Sequence, residues 1–185
     1  MRIISGSRRS LRLKSLDGKH TRPTTDRIKE TLFNMIQNDL HDSIFLDLFS
    51  GTGQIGLEAI SRGASACVFV DNNRQCAACI KENIEHTKAE KESTLLQMDA
   101  LPALRSLEGK IRFDLIFMDP PYNMELEKEI LEYLSESKLA DKNTILIVEA
   151  DTGTDFSYIE SLNYHILKEK VYKTNKHIFL SKNAE

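Results

Sequence analysis

The residues most suited to chemistry are Asp119, Pro120, Pro121 and Tyr122, which directly follow an apolar run at 113–118. The two prolines stiffen the backbone and remove two N–H donors, so the Asp119 carboxylate and the Pro120 carbonyl are fixed acceptors. Such acceptors suit a target that presents an amino group, and the Tyr122 ring offers a face on which a planar base can stack. We therefore expect Asp119, Pro120 and Tyr122 to be catalytic, although prolines after a strand are also typical of a plain loop.

A second candidate site is a glycine-rich segment where a strand gives way to a helix. Gly51, Gly53 and Gly56 match the pattern G-x-G-x-x-G, in which glycines permit a sharp turn and a helix N-terminus offers free N–H groups. Alone, this pattern is weak evidence for a dinucleotide. Asp71 follows Gly51 by twenty residues, the usual spacing for an acid that binds a ribose diol. An adenosine-containing cofactor is therefore expected, with a capping role for Asp71 as the alternative.

Four acids, Asp47, Asp71, Asp99 and Asp119, stand at the carboxyl ends of four consecutive predicted strands. In an open α/β sheet these ends form the crevice that binds ligands. The acids could instead bind Mg²⁺, but no histidine accompanies them and a metal-dependent hydrolase needs tighter clustering of ligands. We therefore expect no metal.

The cysteines do not indicate a metal or redox site. Cys76 and Cys79 have C-x-x-C spacing, but they fall inside a predicted helix and Cys67 alone cannot complete a tetrahedral zinc site. An odd number of cysteines and no signal-peptide pattern argue against disulfides. The sequence also has no run of eighteen apolar residues, so we expect a cytoplasmic protein that does not bind membranes.

The elements that position these residues follow from length and periodicity. The chain has 185 residues, of which 41% are apolar, and this size suits one domain with a small extension. From residue 44, short apolar runs alternate with helical stretches, which predicts a parallel sheet. The predicted strands are 44–48, 66–70, 94–98, 113–118 and 144–148, followed by a hairpin of 164–172 and 177–180. The predicted helices are 54–62, 73–88, 101–107 and 125–135.

The N-terminal region is predicted to be a separate extension, residues 1–24, ahead of the main domain at 25–185. It contains two short candidate strands, 2–5 and 10–15, and a helix is expected at 25–38. Residues 1–30 hold nine Lys or Arg and three acids, so they carry +6 while the rest of the chain carries −9. A basic segment on an acidic body is typical of an extension that binds a polyanion, with a solvated basic hairpin as the alternative. The candidate phosphate-binding residues are Arg8, Arg9, Arg12, Arg22 and Arg27.

Taken together, the motifs resemble those of class I S-adenosylmethionine-dependent methyltransferases. They are Asp47-x-Phe49-x-Gly51-x-Gly53, Asp71, Asp99 and Asp119-Pro120-Pro121-Tyr122. The N-terminal segments Arg2-Ile3-Ile4-Ser5-Gly6, 21–27 and Leu32-Phe33-Asn34 narrow the resemblance to the bacterial family that methylates the 2-amino group of a guanine in small-subunit (16S) ribosomal RNA. The resemblance covers residues 2–182, with one departure, Ser50, where a smaller residue is common.

The resemblance implies a Rossmann-like α/β fold whose seven-stranded, mostly parallel sheet has the order 3-2-1-4-5-7-6, with helices on both faces. It implies S-adenosylmethionine as cofactor, with its ribose on Asp71, its adenine on Asp99 and its methionine part over the glycine loop. The expected cofactor-binding residues are Asp47, Phe49, Ser50, Gly51, Gly53, Asp71, Asn72, Asp99 and Ala100. It further implies action on 16S rRNA, within the assembling or assembled small subunit. We expect the protein to be a monomer.

Other classes of protein share parts of the same motif set. An NAD-dependent dehydrogenase shares the glycine pattern, but fewer than 65 residues follow position 123, too few for a substrate domain. Methylation of an amine in DNA adenine or in transfer RNA could use the same Asp-Pro-Pro-Tyr, although no spare domain for reading DNA is present. A protein-amide methyltransferase would more typically have Asn at position 119. A non-catalytic RNA-binding factor with this fold is the remaining alternative.

Overall fold

The computed structural model describes residues 1–16, 25–121 and 125–184. Two residues predicted to be functional, Arg22 and Tyr122, lie outside these ranges. Within them, one sheet contains strands β1 to β7: Ile44–Leu48, Ala66–Val70, Ser93–Leu96, Leu115–Met118, Ile145–Asp151, Tyr164–Val171 and Asn175–Lys182. The order is β3-β2-β1-β4-β5-β7-β6, with β7 antiparallel to both neighbours and the other pairs parallel. The predicted sheet is therefore confirmed.

Helices α1 to α5 comprise Asp26–Met35, Gln54–Ser61, Arg74–Thr87, Ala100–Leu107 and Leu126–Glu136, and a 3₁₀ turn spans Glu160–Leu162. Two begin at side-chain caps. The hydroxyl of Thr25 accepts from the N–H of Ile28 at the start of α1. The side chain of Asn73 accepts from the N–H of Gln75 at the start of α3. Such caps satisfy N–H groups that have no partner within the helix.

The two faces of the sheet carry separate apolar cores. Side chains of α1, α2 and α3 pack with Phe45 and Phe69 on one face. Side chains of α4 and α5 pack with Leu46 and Met118 on the other. Because successive strand residues point to opposite faces, Phe45 and Leu46 enter different cores. The prediction of helices on both faces is confirmed.

The parallel strands end together at one edge of the sheet, called here the carboxyl edge; the opposite edge is the amino edge. Since Asp151 at the end of β5 pairs with Asn175 at the start of β7, the turn between β6 and β7 also lies at the carboxyl edge. The loops after β1, β4 and β5 and this turn therefore lie along the same edge of the sheet.

The described part of the N-terminal extension, residues 1–16, is called the arm, and it differs from the prediction of two strands. Its only ladder contact is an isolated bridge between Arg2 and Arg12. The strands do not extend because the Glu58 carboxylate, rather than the opposite segment, accepts from the N–H groups of Ile4 and Ser5, at 2.8 and 3.0 Å. The arm turns at Gly6, where a Cβ would lie only 1.8 Å from the carbonyl oxygen of Ser61.

Some predicted boundaries were also wrong. β4 begins at Leu115, not at residue 113, because the N–H of Phe113 bonds to the carbonyl of Leu139, which lies outside the sheet. β7 begins at Asn175 rather than at residue 177.

None of the helices in the described ranges combines the length and apolar character needed to span a lipid bilayer.

Candidate active site at the carboxyl edge

The structure brings the four predicted acids to the carboxyl edge. Asp47 is the penultimate residue of β1, and Asp71 and Asp119 directly follow β2 and β4. Asp99 comes just before α4, three residues after β3. The placement follows from the parallel pairing of β3, β2, β1 and β4.

Asp47 lies beneath the glycine loop and is 1% exposed. Its carboxylate accepts from the N–H of Gly56 at 3.0 Å. Burial raises the pKa of Asp47 to about 7, against the lowering effect of the Gly56 hydrogen bond and with a further rise from the negative charge of Asp71. This carboxyl group is therefore poised to ionise when positive charge arrives nearby.

The loop after β1 is shaped by three residues with positive φ, Phe49, Gly51 and Gly53, at 62°, 58° and 76°. The buried Ser50 hydroxyl donates to the carbonyl of Asp47 at 2.6 Å and accepts from the N–H of Val70 at 3.0 Å. Ser50 thus joins the ends of β1 and β2, which explains how the fold accommodates this departure from the smaller residue.

Acids and amides of neighbouring loops are linked to one another. Asp71 accepts from the N–H groups of Gly51 and Asn73, at 2.8 and 2.9 Å. The side-chain amide of Asn72 donates to Asp99 at 2.6 Å. Each carboxylate oxygen has a second lone pair, so both acids keep acceptor capacity for a ligand.

A cavity of about 470 Å³ opens beside these acids, a size typical of small-molecule and cofactor sites. Its polar lining includes Asp71, Asn72 and Asp99, and its apolar lining includes Met98 and Ile130. The other lining residues are Phe49, Val70, Ala100, Leu101, Pro102, Pro121, Leu126 and Glu129. A mixed wall of this kind suits a nucleoside whose ring is apolar and whose sugar is polar.

Asp119 follows β4, and the cavity reaches the same loop because Pro121 lines it. Burial raises the pKa of Asp119 well above its ordinary value, and the nearby negative charges of Glu149 and Asp47 raise it further. The adjacent Pro120 is buried and has no N–H to offer. The segment therefore presents acceptors in a setting poor in water.

The sequence analysis missed Glu149, which lies beside Asp119, and its two partners Asn175 and His177; the three are 6%, 6% and 0% exposed. Asn175 donates to Glu149 at 2.6 Å, and the Nε2 atom of His177 lies 3.0 Å from the same carboxylate. A single acid in the apolar run 145–150 is a signal that could have drawn attention to Glu149.

The candidate phosphate-binding arginines occupy different places. The guanidinium of Arg8 donates to the carbonyls of Thr87 and Lys88, at 2.9 and 3.0 Å, and to Glu92 at 2.9 Å. These acceptors lie at and beyond the C-terminal end of α3, a helix of 14 residues, or about 20 Å, that starts at the carboxyl edge. Arg8 therefore holds the arm to the amino edge, and the neighbouring Arg9 is exposed there.

The other end of the arm lies near the carboxyl edge. The Met1 sulfur is 3.2 Å from the Thr52 hydroxyl in the glycine loop. Arg2 pairs with Asp26 at the start of α1, and Arg12 lies opposite Arg2. Arg12 and Arg27 are both exposed.

Across residues 1–16, 25–121 and 125–184, no group of three or more His, Cys, Asp or Glu is arranged to hold a metal ion. The cysteines are buried free thiols. Burial, with smaller effects of nearby groups, raises the pKa of Cys76 to about 11. Thiols of this kind behave as small apolar side chains.

Comparison with known proteins gives consistent matches. The model of a family described as Conserved hypothetical protein 95 matches residues 1–181. The chain is 34% identical to Ribosomal RNA small subunit methyltransferase D of Haemophilus influenzae, over 92% of this chain and 88% of that protein. It is 29% identical to the protein of the same name from Escherichia coli (strain K12), over 92% and 84%. The solved structure of yhhF from Escherichia coli superposes with a TM-score of 0.86 at 28% identity, covering 100% of this chain and 99% of that one.

Proposed function

Because the chain belongs to the family described as Conserved hypothetical protein 95, and because relatives similar over 92% of its length are ribosomal RNA small subunit methyltransferases, we propose the following reaction. The protein transfers a methyl group from S-adenosylmethionine to the 2-amino group of a guanine in small-subunit ribosomal RNA. The observation that carries this proposal is the Asp119-Pro120 acceptor pair beside a cavity of nucleoside-binding chemistry.

The cavity residues fit S-adenosylmethionine. Asp71 has free acceptor capacity for ribose hydroxyls, and Asp99 has it for an adenine amino group. Gly51 has no atom within 4 Å of an added Cβ, so the loop leaves open space above its backbone for the methionine part. Asp47, which lies beneath that loop, is proposed to contact the methionine amino group, directly or through water. When bound, the cofactor supplies an electrophilic methyl group on a positively charged sulfur.

Asp119 and Pro120 act on the nucleophile. The lone pair of a guanine 2-amino nitrogen is delocalised into the ring, so the nitrogen must become more tetrahedral before it can attack. The Asp119 carboxylate and the Pro120 carbonyl can accept its two N–H bonds, which favours that geometry and the positive charge that develops. Alignment of the nitrogen with the methyl group provides the remaining rate enhancement.

The guanine must leave its stack to reach Asp119, and Tyr122 is proposed to receive it by stacking. Arg12 and Arg27, exposed near the carboxyl edge, are proposed to bind phosphates there, together with Arg22. Arg8 is assigned to holding the arm in place, and Arg9 is the least favourably placed of the predicted set. The enzyme is proposed to act as a monomer on an assembling or assembled subunit.

The test is a transfer assay with labelled S-adenosylmethionine. Small subunits and their extracted RNA, both from a strain that lacks this protein, are incubated with the purified enzyme, and the RNA is digested to nucleosides. We expect label on the 2-amino group of guanine. Label on another nucleoside, or transfer only to DNA, transfer RNA or protein, would contradict the proposal. Comparison of the two substrates shows whether ribosomal proteins present the base.

A further inference from the structure

A buried carboxyl group next to Asp119 has no assigned role. β4 and β5 are parallel, with Met118 beside Val148, so the next residues along, Asp119 and Glu149, are neighbours at the carboxyl edge. Glu149 is 6% exposed. A buried acid beside another acid is costly unless it is held by donors.

Glu149 is held by two donors from β7. Asn175 donates to one carboxylate oxygen at 2.6 Å, and the Nε2 atom of His177 lies 3.0 Å from the other. The Nδ1 atom of His177 is 3.2 Å from the Tyr172 hydroxyl. A neutral imidazole satisfies both contacts, with Nε2–H donating to Glu149 and Nδ1 accepting from Tyr172.

We propose that Glu149, fixed by Asn175 and His177, is a positioning residue that makes Asp119 the acceptor of the proton released in methyl transfer. This inference rests on the proposed function. As the nitrogen–carbon bond forms, the carbon–sulfur bond breaks and its electron pair stays on sulfur. The methylated nitrogen then carries one proton too many, which passes to an Asp119 oxygen. Asp119 returns it to water after the product leaves.

The charges around Asp119 support this role. The Asp119 carboxylate is faced by Glu149 from β5 and by Asp47 from β1. The Asp71 carboxylate lies beyond Asp47. In the described ranges, neither Asp119 nor Glu149 forms an ion pair with Lys or Arg, and the partner of Glu149 is His177. A like charge close by strengthens a carboxylate as a proton acceptor.

The test removes the charge of Glu149 while its hydrogen bonds are preserved. In the Glu149→Gln variant, the new amide N–H would face the Nε2–H of His177, and two donors cannot bond to each other. Glu149→Gln is therefore combined with His177→Gln, whose side-chain carbonyl can accept from that amide. The matched control is His177→Gln alone, which keeps the charge at position 149. The single-turnover rate of methyl transfer is measured against pH at saturating cofactor, with whichever of the two substrates, small subunits or extracted RNA, the wild-type enzyme methylates.

We expect the acid limb of the pH profile to move to lower pH by about one unit in the double variant relative to the control, with a lower plateau rate and unchanged cofactor affinity. A purely structural role would lower the rate without moving the limb, and that result overturns the inference. Failure of the proposed function is distinct, since the wild-type enzyme would then methylate no guanine.

A second inference rests on the β6–β7 hairpin. Lys168 and Lys170 pair with Phe179 and His177 across the ladder. Paired residues project on the same face of a sheet, and Glu149 also pairs with His177. The two lysines therefore project on the Glu149 face, and Lys173 lies in the turn at the carboxyl edge. All three lysines are exposed, and none forms an ion pair with a residue in the described ranges.

This hairpin differs in charge from the rest of the body. Residues 164–176 hold four lysines and one glutamate, a net charge of +3, whereas the remainder of the chain after residue 30 carries −12. We infer that Lys168, Lys170 and Lys173 bind phosphates of the substrate RNA on the side of Asp119 opposite the arm. The inference rests on RNA being the substrate.

The test is the salt dependence of binding to an unmethylated transcript of small-subunit ribosomal RNA. Replacing the three lysines with Gln should lower affinity and reduce the slope of log K against log salt by about 2, since each contact with single-stranded RNA contributes about 0.7. The control replaces Lys91, Lys110 and Lys142, exposed at the amino edge, with Gln. Equal slopes in the two variants would overturn the inference. Failure of the wild-type enzyme to methylate any guanine would instead contradict the proposed function.

Discussion

At the residue scale, the site consists of acids whose surroundings oppose their ionisation. Burial raises the pKa of Asp47 and of Asp119, and their mutual repulsion and that of Asp71 and Glu149 add to it. Positive charge on a ligand relieves this repulsion. The edge is therefore better matched to a cationic cofactor and a developing ammonium than to an anion.

Asp119→Ala should retain cofactor binding and lose at least about 100-fold in the rate of methyl transfer, as expected when a key transition-state acceptor is removed. Single-turnover assays measure the rate, and calorimetry with S-adenosylmethionine measures the affinity. Glu90→Ala, an exposed position in the turn between α3 and β3 at the amino edge, is the control. Near-normal turnover in the Asp119 variant would remove the basis of the mechanism.

Asp47→Asn should stabilise the cofactor-free protein at alkaline pH. Because the folded-state pKa of Asp47 is raised to about 7, its contribution to stability is full below about pH 4 and is lost as pH rises through 7. Between pH 5 and pH 8 the variant should therefore gain about 2.5 kcal/mol relative to wild type, measured by urea unfolding. The same substitution should weaken cofactor binding. A difference that does not change with pH would show that Asp47 ionises normally.

Gly56→Ala should destabilise the fold. An added Cβ would lie 2.3 Å from the Phe69 ring and 2.6 Å from the Cys67 sulfur, and overpacking of this kind costs about 1–3 kcal/mol. Urea unfolding measures the loss. Gly153→Ala, where the Cβ would make ordinary contact at 3.4 Å, should change stability by less than about 0.5 kcal/mol. Equal effects at both positions would contradict the packing argument.

The sequence was informative about residues fixed by local pattern and less so about those fixed by pairing. Asp47, Asp71, Asp99 and Asp119 follow apolar runs, so their shared edge is predictable from parallel strands. Glu149 acquires its surroundings only because β7 inserts beside β5 in the antiparallel sense, and the residues alone did not reveal that order. The structural role of Arg8 likewise depends on a contact with α3, 79 residues away.

At the element scale, one side chain of α2 organises the arm and α1. The buried Glu58 carboxylate accepts from two N–H groups of the arm, at 2.8 and 3.0 Å, and from Arg62 at 2.8 Å. The fully buried Lys29 of α1 lies 3.4 Å from it. Burial lowers the pKa of Lys29, opposed mainly by the charge of Glu58. This network explains why the arm is held by side-chain contacts with α2 instead of forming a regular β-hairpin.

Glu58→Gln should lower the free energy of unfolding by about 3 kcal/mol, because it leaves Lys29 as a buried charge without its counter-charge. The control is Glu82→Gln, which breaks an exposed pair with Lys14 whose side chains are 52% and 55% exposed, and which should cost less than about 1 kcal/mol. Urea unfolding of both variants measures the difference. Similar losses in the two variants would mean that burial of the Glu58 network adds nothing to the free energy of unfolding.

At the scale of the whole molecule, basic residues near the carboxyl edge face a body that is otherwise acidic. The basic residues of this region differ in their contacts, since Arg8 of the arm binds the end of α3, whereas Arg12 of the arm and Arg27 of α1 remain exposed. We infer that RNA phosphates meet positive charge at the two flanks of the carboxyl edge, on Arg12 and Arg27 and on the β6–β7 hairpin, whereas the acids between them face the cofactor and the reacting amine.

Substitution of Arg8 and substitution of the exposed pair Arg12 and Arg27 should therefore affect stability and RNA binding separately. Arg12→Gln with Arg27→Gln should weaken RNA binding and reduce its salt slope by about 1.4, with little change in Tm. Arg8→Gln should lower Tm and leave the slope unchanged. Differential scanning fluorimetry and binding titrations at several salt concentrations measure both quantities. The reverse pattern would restore Arg8 as the phosphate-binding residue.

The position of β7 has a consequence for biosynthesis. β7 is the last strand of the sheet to emerge from the ribosome, yet it lies between β5 and β6, and it supplies both donors to Glu149. Long-range pairings of this kind form late because their loops must close first. A nascent chain that has exposed everything up to residue 174 therefore has its glycine loop and Asp119 but lacks both partners of Glu149, so completion of the catalytic edge coincides with completion of the fold.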